Sequence, residues 1–358
     1  MIATQNRTTA RAEAGPPAKC ASFVEGRPPR RPRKALCITF LALCFSGVSI
    51  LAATPDRGVK IKRISDRVRV EIGGKLFTEY RFGGLPKPCL YPILDDEGVS
   101  YTRDYPFAKN PQEDPDHVWH RGAWFAHGDV NGHDFWREIA EKKTGTIVHD
   151  TLIETSDGKT GLIRARNRWV AANGDVICTD ETSIRIQRTD AGTIVDFDVT
   201  LIATHGPITI GDTEEGTMAV RVNEAIRVTH GRNKDKRPGT GRLVNSKVDV
   251  GIPAWGKRAE WCDYSGPLGD GRVIGIALFN HPQNHAHPTW WHARDYGLLS
   301  ANPFGKHDFE KLKDQPRAGE VKLPAGGKLL LRYRMIFHRG DEKTARIAEL
   351  YREYAQGK

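Results

Sequence analysis

Beyond Lys60 the dominant signal along the chain is alternation of apolar and polar residues with a period of two. Val68, Val70 and Ile72 alternate with charged residues, Gly73-Gly74 offers a two-residue turn, and the segment from Lys75 to Tyr80 can return as a partner strand, which predicts a hairpin. Val195, Phe197, Val199 and Leu201 alternate with Asp196, Asp198 and Thr200, and the pattern recurs at Leu329, Leu331, Tyr333, Met335 and Phe337. Further strands are expected over 146–153, 162–170, 176–186, 218–222, 247–252 and 273–279. Such alternation means one buried and one wet face, and hence antiparallel sheets. One long helix is expected over 341–355, where Asp341 and Glu342 suit its start and Ile347, Leu350 and Tyr354, or Ala345, Ala348 and Tyr351, supply an apolar side. A short turn of helix is expected over 135–142. No strand is followed by a helical pattern of βαβ length, and neither a dinucleotide glycine motif after a strand nor a phosphate loop occurs. The expected fold is all-β, an antiparallel β-sandwich with a C-terminal helix.

Charge changes this picture only at the N-terminus. The net charge is +10 over 358 residues, but +6 of it sits in residues 1–34 and the remainder is nearly neutral for its size. No later run of Lys and Arg interleaves with aromatics, so no nucleic-acid partner is expected. The basic cluster at 30–34 precedes an apolar run at 35–53 that ends in Ala52-Ala53, the layout of a secretory signal or of an uncleaved anchor. Residues 1–53 are therefore read as the targeting segment of an exported, periplasmic or extracellular protein. Residues 54–358 are read as a single β-sandwich domain without a membrane span. After residue 53 only Cys89, Cys178 and Cys262 remain, too few and too widely spaced for a disulfide framework.

The chemistry concentrates in three islands. Residues 117–136, HVWHRGAWFAHGDVNGHDFW, and residues 279–305 together hold eight of the thirteen histidines. The third, GDTEEGTMAVRV at 211–222, sets acidic residues directly before a strand carrying Arg221. Imidazole and carboxylate can divide acid and base roles near neutral pH; the candidates are His120, His127 and His287 with Glu215. Arg121 and Arg294 can fork onto a carboxylate or adjacent hydroxyls, and Arg221 can hold a carboxylate ionised. Trp124, Trp136 and Trp291 can stack on a sugar ring; each taken singly is better explained as core, and it is their coincidence with His, Asn and Asp that tilts the group toward carbohydrate. Asp129, Asn131, Asp134, His281, Tyr296 and Asn302 complete the candidate binding set. A transition-metal site is the alternative use of the histidines, but the HxxH at 117–120 lacks any familiar metal spacing. No metal ligand is assigned and no cofactor follows from the sequence.

At these islands the chain resembles the bacterial PmoA-like family, whose members often carry the label methane oxygenase. The resemblance rests on His120-Arg121-Gly122 with Trp124-Phe125, on the run from His127 to Gly132, on Asp134-Phe135-Trp136, on Gly211-Asp212-Thr213 with Glu215-Gly216, on His281-Pro282, on Arg294 with Tyr296-Gly297, and on Asn302-Pro303-Phe304-Gly305. Val118-Trp119 stand where family members often have Pro-His. A membrane oxygenase subunit needs several long apolar spans, and nothing after Ala53 has that length. The family looks more like the supersandwich of galactose mutarotases, in which a histidine and a glutamate move protons at the anomeric carbon. The resemblance therefore implies an exported carbohydrate-active protein, with non-catalytic sugar binding and a metal-dependent oxygenase or hydrolase as alternatives.

Overall fold

A computed structural model describes residues 57–139, 144–231 and 235–357. Residues 1–53, where a targeting segment is expected, lie outside the described residues. Two antiparallel sheets form a sandwich. The first has nine strands in the order Val59–Ile64, Arg67–Ile72, Lys75–Arg81, Cys89–Ile93, Ala123–His127, Gly216–Arg221, Leu298–Asn302, Thr289–Trp291 and Arg258–Ala259. The second has eight, in the order Arg242–Asn245, Trp261–Pro267, Val273–Asn280, Lys328–Arg339, Gly192–Ile202, Val176–Thr189, Thr160–Val170 and Thr146–Ser156.

The alternating segments behave as the pattern requires. Val195, Phe197, Val199 and Leu201 are buried, as are Leu331, Tyr333, Met335 and Phe337. The core lies between the sheets, where Phe77 meets Phe337 with ring centroids 5.8 Å apart and Phe125 meets Trp169 at 6.2 Å. Gly73 and Gly74 take φ of 56° and 77°, the left-handed pair that a two-residue hairpin turn demands.

Three expectations need correction. Residues 247–252 form no strand: Asn245 Oδ1 accepts from Lys247 N at 2.9 Å and Asp249 N at 3.1 Å, folding the segment into a turn. Its apolar side chains, Val248, Val250 and Ile252, face solvent. The C-terminal helix spans Ile347–Ala355, six residues shorter than expected, because Asp341 Oδ1 takes Thr344 N into a turn at 2.8 Å and Arg346 sits at φ 56°. Residues 135–139 are not helical: Asp134 Oδ1 accepts the amides of Trp136 and Arg137 at 2.8 and 2.9 Å, but no helical turn follows over 137–139, and 140–143 lie outside the described residues.

The helix packs Ile347, Tyr351 and Tyr354 against Phe279, Trp261, Ile194 and Ile336, on the side of the second sheet away from the main core. The strand Lys328–Arg339 is thus covered on both faces around Ile336. All three described cysteines are free and buried. Among the described residues no helix is long and apolar enough to cross a membrane.

Phe337 is fully buried and also lies edge-on to Tyr101 at 5.3 Å. Phe337→Ala is expected to cost about 3–5 kcal/mol of unfolding free energy, measured by urea denaturation; a loss below about 1 kcal/mol would mean that the sheets do not meet there.

Candidate functional site

The site is built on three neighbouring central strands of the first sheet. Ala219 faces Trp124 on one side and Ser300 on the other. Arg221, two residues beyond Ala219, shares their face. The strand Ala123–His127 is buried throughout, which is why it carries no alternating signature. Gly122 precedes it at φ 56°, and a Cβ there would lie 2.1 Å from the Leu90 carbonyl oxygen. The long segment before this strand is tied to the Arg221 end by a bridge between Thr102 and Val222 and by Asn223 N donating to Tyr101 O at 2.8 Å. The loop carrying His292 to Tyr296 turns back through a bridge between Arg294 and Leu298. All three islands therefore contribute to one place.

Its base is ionic and buried. Arg103 and Arg221 have fully buried side chains, and both donate to Asp116 Oδ1, Arg221 through Nη2 at 2.8 Å. Arg103 Nη2 also donates to the carbonyls of Asp116 and His117 at 2.7 and 2.8 Å, so it fastens the loop that carries both histidines. Burial pulls both guanidinium groups down, Arg103 to about 8 and Arg221 to about 10.

Above this base runs a column of rings. Tyr296 stacks on His117 at 5.1 Å, His117 on His120 at 4.8 Å, and His120 on Trp124 at 5.1 Å, with Trp136 tilted against Trp124 beneath. Arg221 Nη1 lies 3.2 Å from His120 Nδ1. A guanidinium can only donate, so Nδ1 is the acceptor and the His120 proton resides on Nε2. Burial and then the Arg221 charge hold His120 well below the ordinary imidazole range, so the ring is neutral. His117 is the more open ring, with 34% of its side chain exposed and Nδ1 3.3 Å from Asp116 Oδ2. Burial, then Arg221, Arg103, Arg294 and Arg137, lower it to about 4.

A carboxylate pair lies within electrostatic reach of Tyr296, the end of this column. Arg137 donates to Glu215 Oε1 at 2.7 Å and to Asp134 Oδ2 at 3.2 Å. Despite Arg137, burial pushes Glu215 up to about 7. Glu214 lies beside it, and both carboxylates act on Tyr296, which also stacks on His117. His292 is buried, held at about 3 by burial and then by Arg294, and accepts a hydrogen bond from Arg294 Nε at 3.0 Å. Half-buried Trp119 stands edge-on to both His117 and His120, and half-buried Trp255 lies under the Arg294 guanidinium at 5.3 Å.

The structure thus gathers His120, Glu215, Arg221, Arg294 and Tyr296 of the expected set. His127 stays apart: its Nε2 pairs with the Gly211 carbonyl at 2.8 Å, with Phe304 edge-on at 5.1 Å, inside the fold. His287 bonds Asn280 at 2.9 Å, and its charged neighbours are Glu260, Arg258 and Lys247, none of them at this site. His281 lies against Tyr354 of the helix. Trp124, Trp136 and Trp291 are fully buried and offer no face to a ligand. Arg121 is spent on Glu138, which also takes the buried Lys87 at 2.8 Å. Asp129 and Asn131 shape a turn, accepting from Gly132 N at 2.8 Å and Thr209 N at 2.7 Å. Asp134 aims Arg137, and Asn302 holds the carbonyls of Thr213 and Glu214 at 2.8 and 3.0 Å. Sequence reasoning passes over Arg103 and Trp255, which stand outside all three islands and carry no local signal. His117, Glu214 and His292 were legible in the islands as chemistry-bearing residues.

Among the described residues no group of three His, Cys, Asp or Glu is arranged to hold a metal ion. The model of a family described as "Family of unknown function (DUF6807)" matches residues 67–352. No curated protein matches the chain. Among solved structures, the chain is similar to a galactose mutarotase-like protein from Lactobacillus casei ATCC 334, at 11% identity and a TM-score of 0.35 over 78% of this chain and 100% of that one. It is similar to the alpha-galactosidase from Lactobacillus brevis, at 8% identity and a TM-score of 0.35 over 79% of this chain and 39% of that one. It is also similar to a 4-alpha-glucanotransferase from Thermococcus litoralis, at 11% identity and a TM-score of 0.34 over 80% and 40%. The chain spans about two fifths of the length of the latter two. These likenesses concern architecture, and the chemistry has to be read from the residues themselves.

Two outcomes follow from the charges. Asp116→Asn removes the carboxylate shared by two buried guanidinium groups and is expected to cost about 3–5 kcal/mol in urea unfolding. An unchanged midpoint would show that the pair is not needed. The second concerns pH. His117 and His127 at about 4, and His292 at about 3, lie below the unfolded value of ~6.5, so stability is full above that value and drains as pH falls toward them. Glu215 at about 7 lies above its unfolded value of ~4.3, so its contribution is lost as pH rises between the two and opposes the histidines. The histidines outnumber it, and the urea midpoint is expected to fall between pH 6.5 and 4. His127→Gln, which can still donate to Gly211 O, should flatten that fall; an identical slope would remove His127 from the account.

Proposed function

The chain belongs to the DUF6807 family, a family of unknown function, and on that premise we propose that it is an exported carbohydrate-active protein of PmoA-like type whose site acts on a sugar by proton transfer. The observation that carries the reading is Glu215, a carboxyl group held to about 7 and acting on Tyr296, the ring that stacks on neutral His117. At neutral pH it retains enough proton to serve as an acid, while His117 keeps a lone pair to accept one. His120, with its proton on Nε2, serves as a neutral donor to a developing oxyanion. His127 has no part in this pair, because its Nε2 is engaged with Gly211 O. The half-buried faces of Trp119, Trp255 and Tyr296 are the surfaces on which an apolar sugar face can rest.

Non-catalytic sugar binding is the second reading. It is favoured by the low values of His117 and His292, about 4 and 3, which make both rings weak bases.

The discriminating measurement is turnover and affinity on a panel of monosaccharides for the wild type, His120→Gln and Glu215→Gln. The catalytic reading expects Glu215→Gln to lower kcat by about 100-fold or more and to erase the limb of the pH–rate profile near 7. Turnover unchanged in both variants sinks it. Retained affinity without turnover in any form, wild type included, establishes the binding reading instead.

A further inference from the structure

We propose that Arg294 is a carboxylate-binding group and that the sugar this site takes is acidic, a uronic acid or a glycan unit carrying one. The proposal rests on the sugar reading above and deepens it.

Arg294 differs from the other arginines around the site in what its guanidinium has left to give. Arg103 and Arg221 are committed to Asp116, Arg137 to Asp134 and Glu215, and Arg121 to Glu138. Arg294 spends only its Nε, which donates to His292 Nε2 at 3.0 Å. His292 is 2% exposed and neutral, so this acceptor is fixed in place and sets the plane of the guanidinium. Tied at Nε, the group presents its Nη1–Nη2 edge away from the tether. Among the described residues neither Nη atom makes a hydrogen bond, and the nearest carboxylate oxygen, Glu214 Oε2, stands 3.6 Å from Nη2. With 35% of its side chain exposed, Arg294 is reachable from solvent.

The surroundings select the ligand. A planar pair of N–H donors matches the two oxygens of a carboxylate and gains more from it than from neutral hydroxyls. Of the four guanidinium groups that act on His117, those of Arg103, Arg137 and Arg221 are paired with carboxylates, and Arg294 alone keeps a fork to offer. The half-buried Trp255 ring, 5.3 Å from the guanidinium carbon, provides a flat apolar wall of the kind that holds a pyranose. Glu214 is then the internal stand-in for the ligand: a loosely held carboxylate that an incoming one displaces. His292 is a positioning residue, acting only through Arg294.

The test is calorimetric titration at pH 7 with D-glucuronate and D-galacturonate against D-glucose and D-galactose. The wild type is expected to bind at least one uronate about tenfold or more tightly than its neutral parent. Arg294→Gln, on a side chain open to solvent, should abolish that preference, so that uronate and neutral parent bind within about twofold of each other. Glu214→Gln, which removes the competitor, should strengthen the preference. His292→Gln can still accept from Arg294 Nε and should retain the preference, whereas His292→Leu should lose it. Equal affinity for acid and neutral sugars in the wild type, or a preference that survives Arg294→Gln, overturns the proposal and leaves the sugar reading standing. Binding of neither kind of sugar overturns both.

Discussion

The organisation of the site depends on one carboxylate. Asp116 is buried between the guanidinium groups of Arg103 and Arg221, which come from different parts of the chain and have no exposed surface of their own. Burying two guanidinium charges is expensive, and a single carboxylate offsets that cost only with the help of the surrounding carbonyls. The chain supplies them: Arg103 takes those of Asp116 and His117, which is also what fixes the loop bearing both histidines. Conformational specificity and electrostatic tuning thus come from the same contact. Arg221 reaches Asp116 with one nitrogen and His120 with another, so the group that neutralises the base of the site also dictates which nitrogen of His120 keeps its proton.

The same low-dielectric setting moves the acids and the bases in opposite directions. Burial disfavours charge whatever its sign, so the imidazoles fall and Glu215 rises. At neutral pH the result is a set of uncharged rings in one site with a carboxyl group that is only partly ionised. In water the same residues would sit with the carboxylate charged and the histidines about a quarter protonated.

The candidate site was legible as three islands, and all three contribute to it, but membership within an island did not predict role. Residues 279–305 divide: His281 and His287 pack beside the C-terminal helix, while His292, Arg294 and Tyr296 turn into the site. The tryptophans divide too. Trp124, Trp136 and Trp291 are core, and the part-open aromatic faces belong to Trp119, Trp255 and Tyr296. His127 and Asp129, so close in sequence to His120, serve instead a strand end and a turn. A histidine that satisfies a buried carbonyl and one that faces a ligand have the same local composition, and only their neighbours in space separate them.

What the sequence determined by itself was the secondary structure of the half-wet strands and the class of fold. Alternation reports directly which face of a strand meets the core, and Gly73-Gly74 is compatible with little but a tight hairpin turn. It was silent on the fully buried central strand Ala123–His127, where burial on both faces erases alternation, and it misread 247–252, where the Asn245 side chain outcompetes pairing. The tertiary structure alone decided how Arg103, Asp116, Arg221 and His120 meet, because the sheet order sets Ala123–His127 beside Gly216–Arg221, a strand from much later in the chain. Local sequence records each residue's own preference for water. It does not record which charge will be buried beside which ring, and the chemistry of this site turns on that pairing.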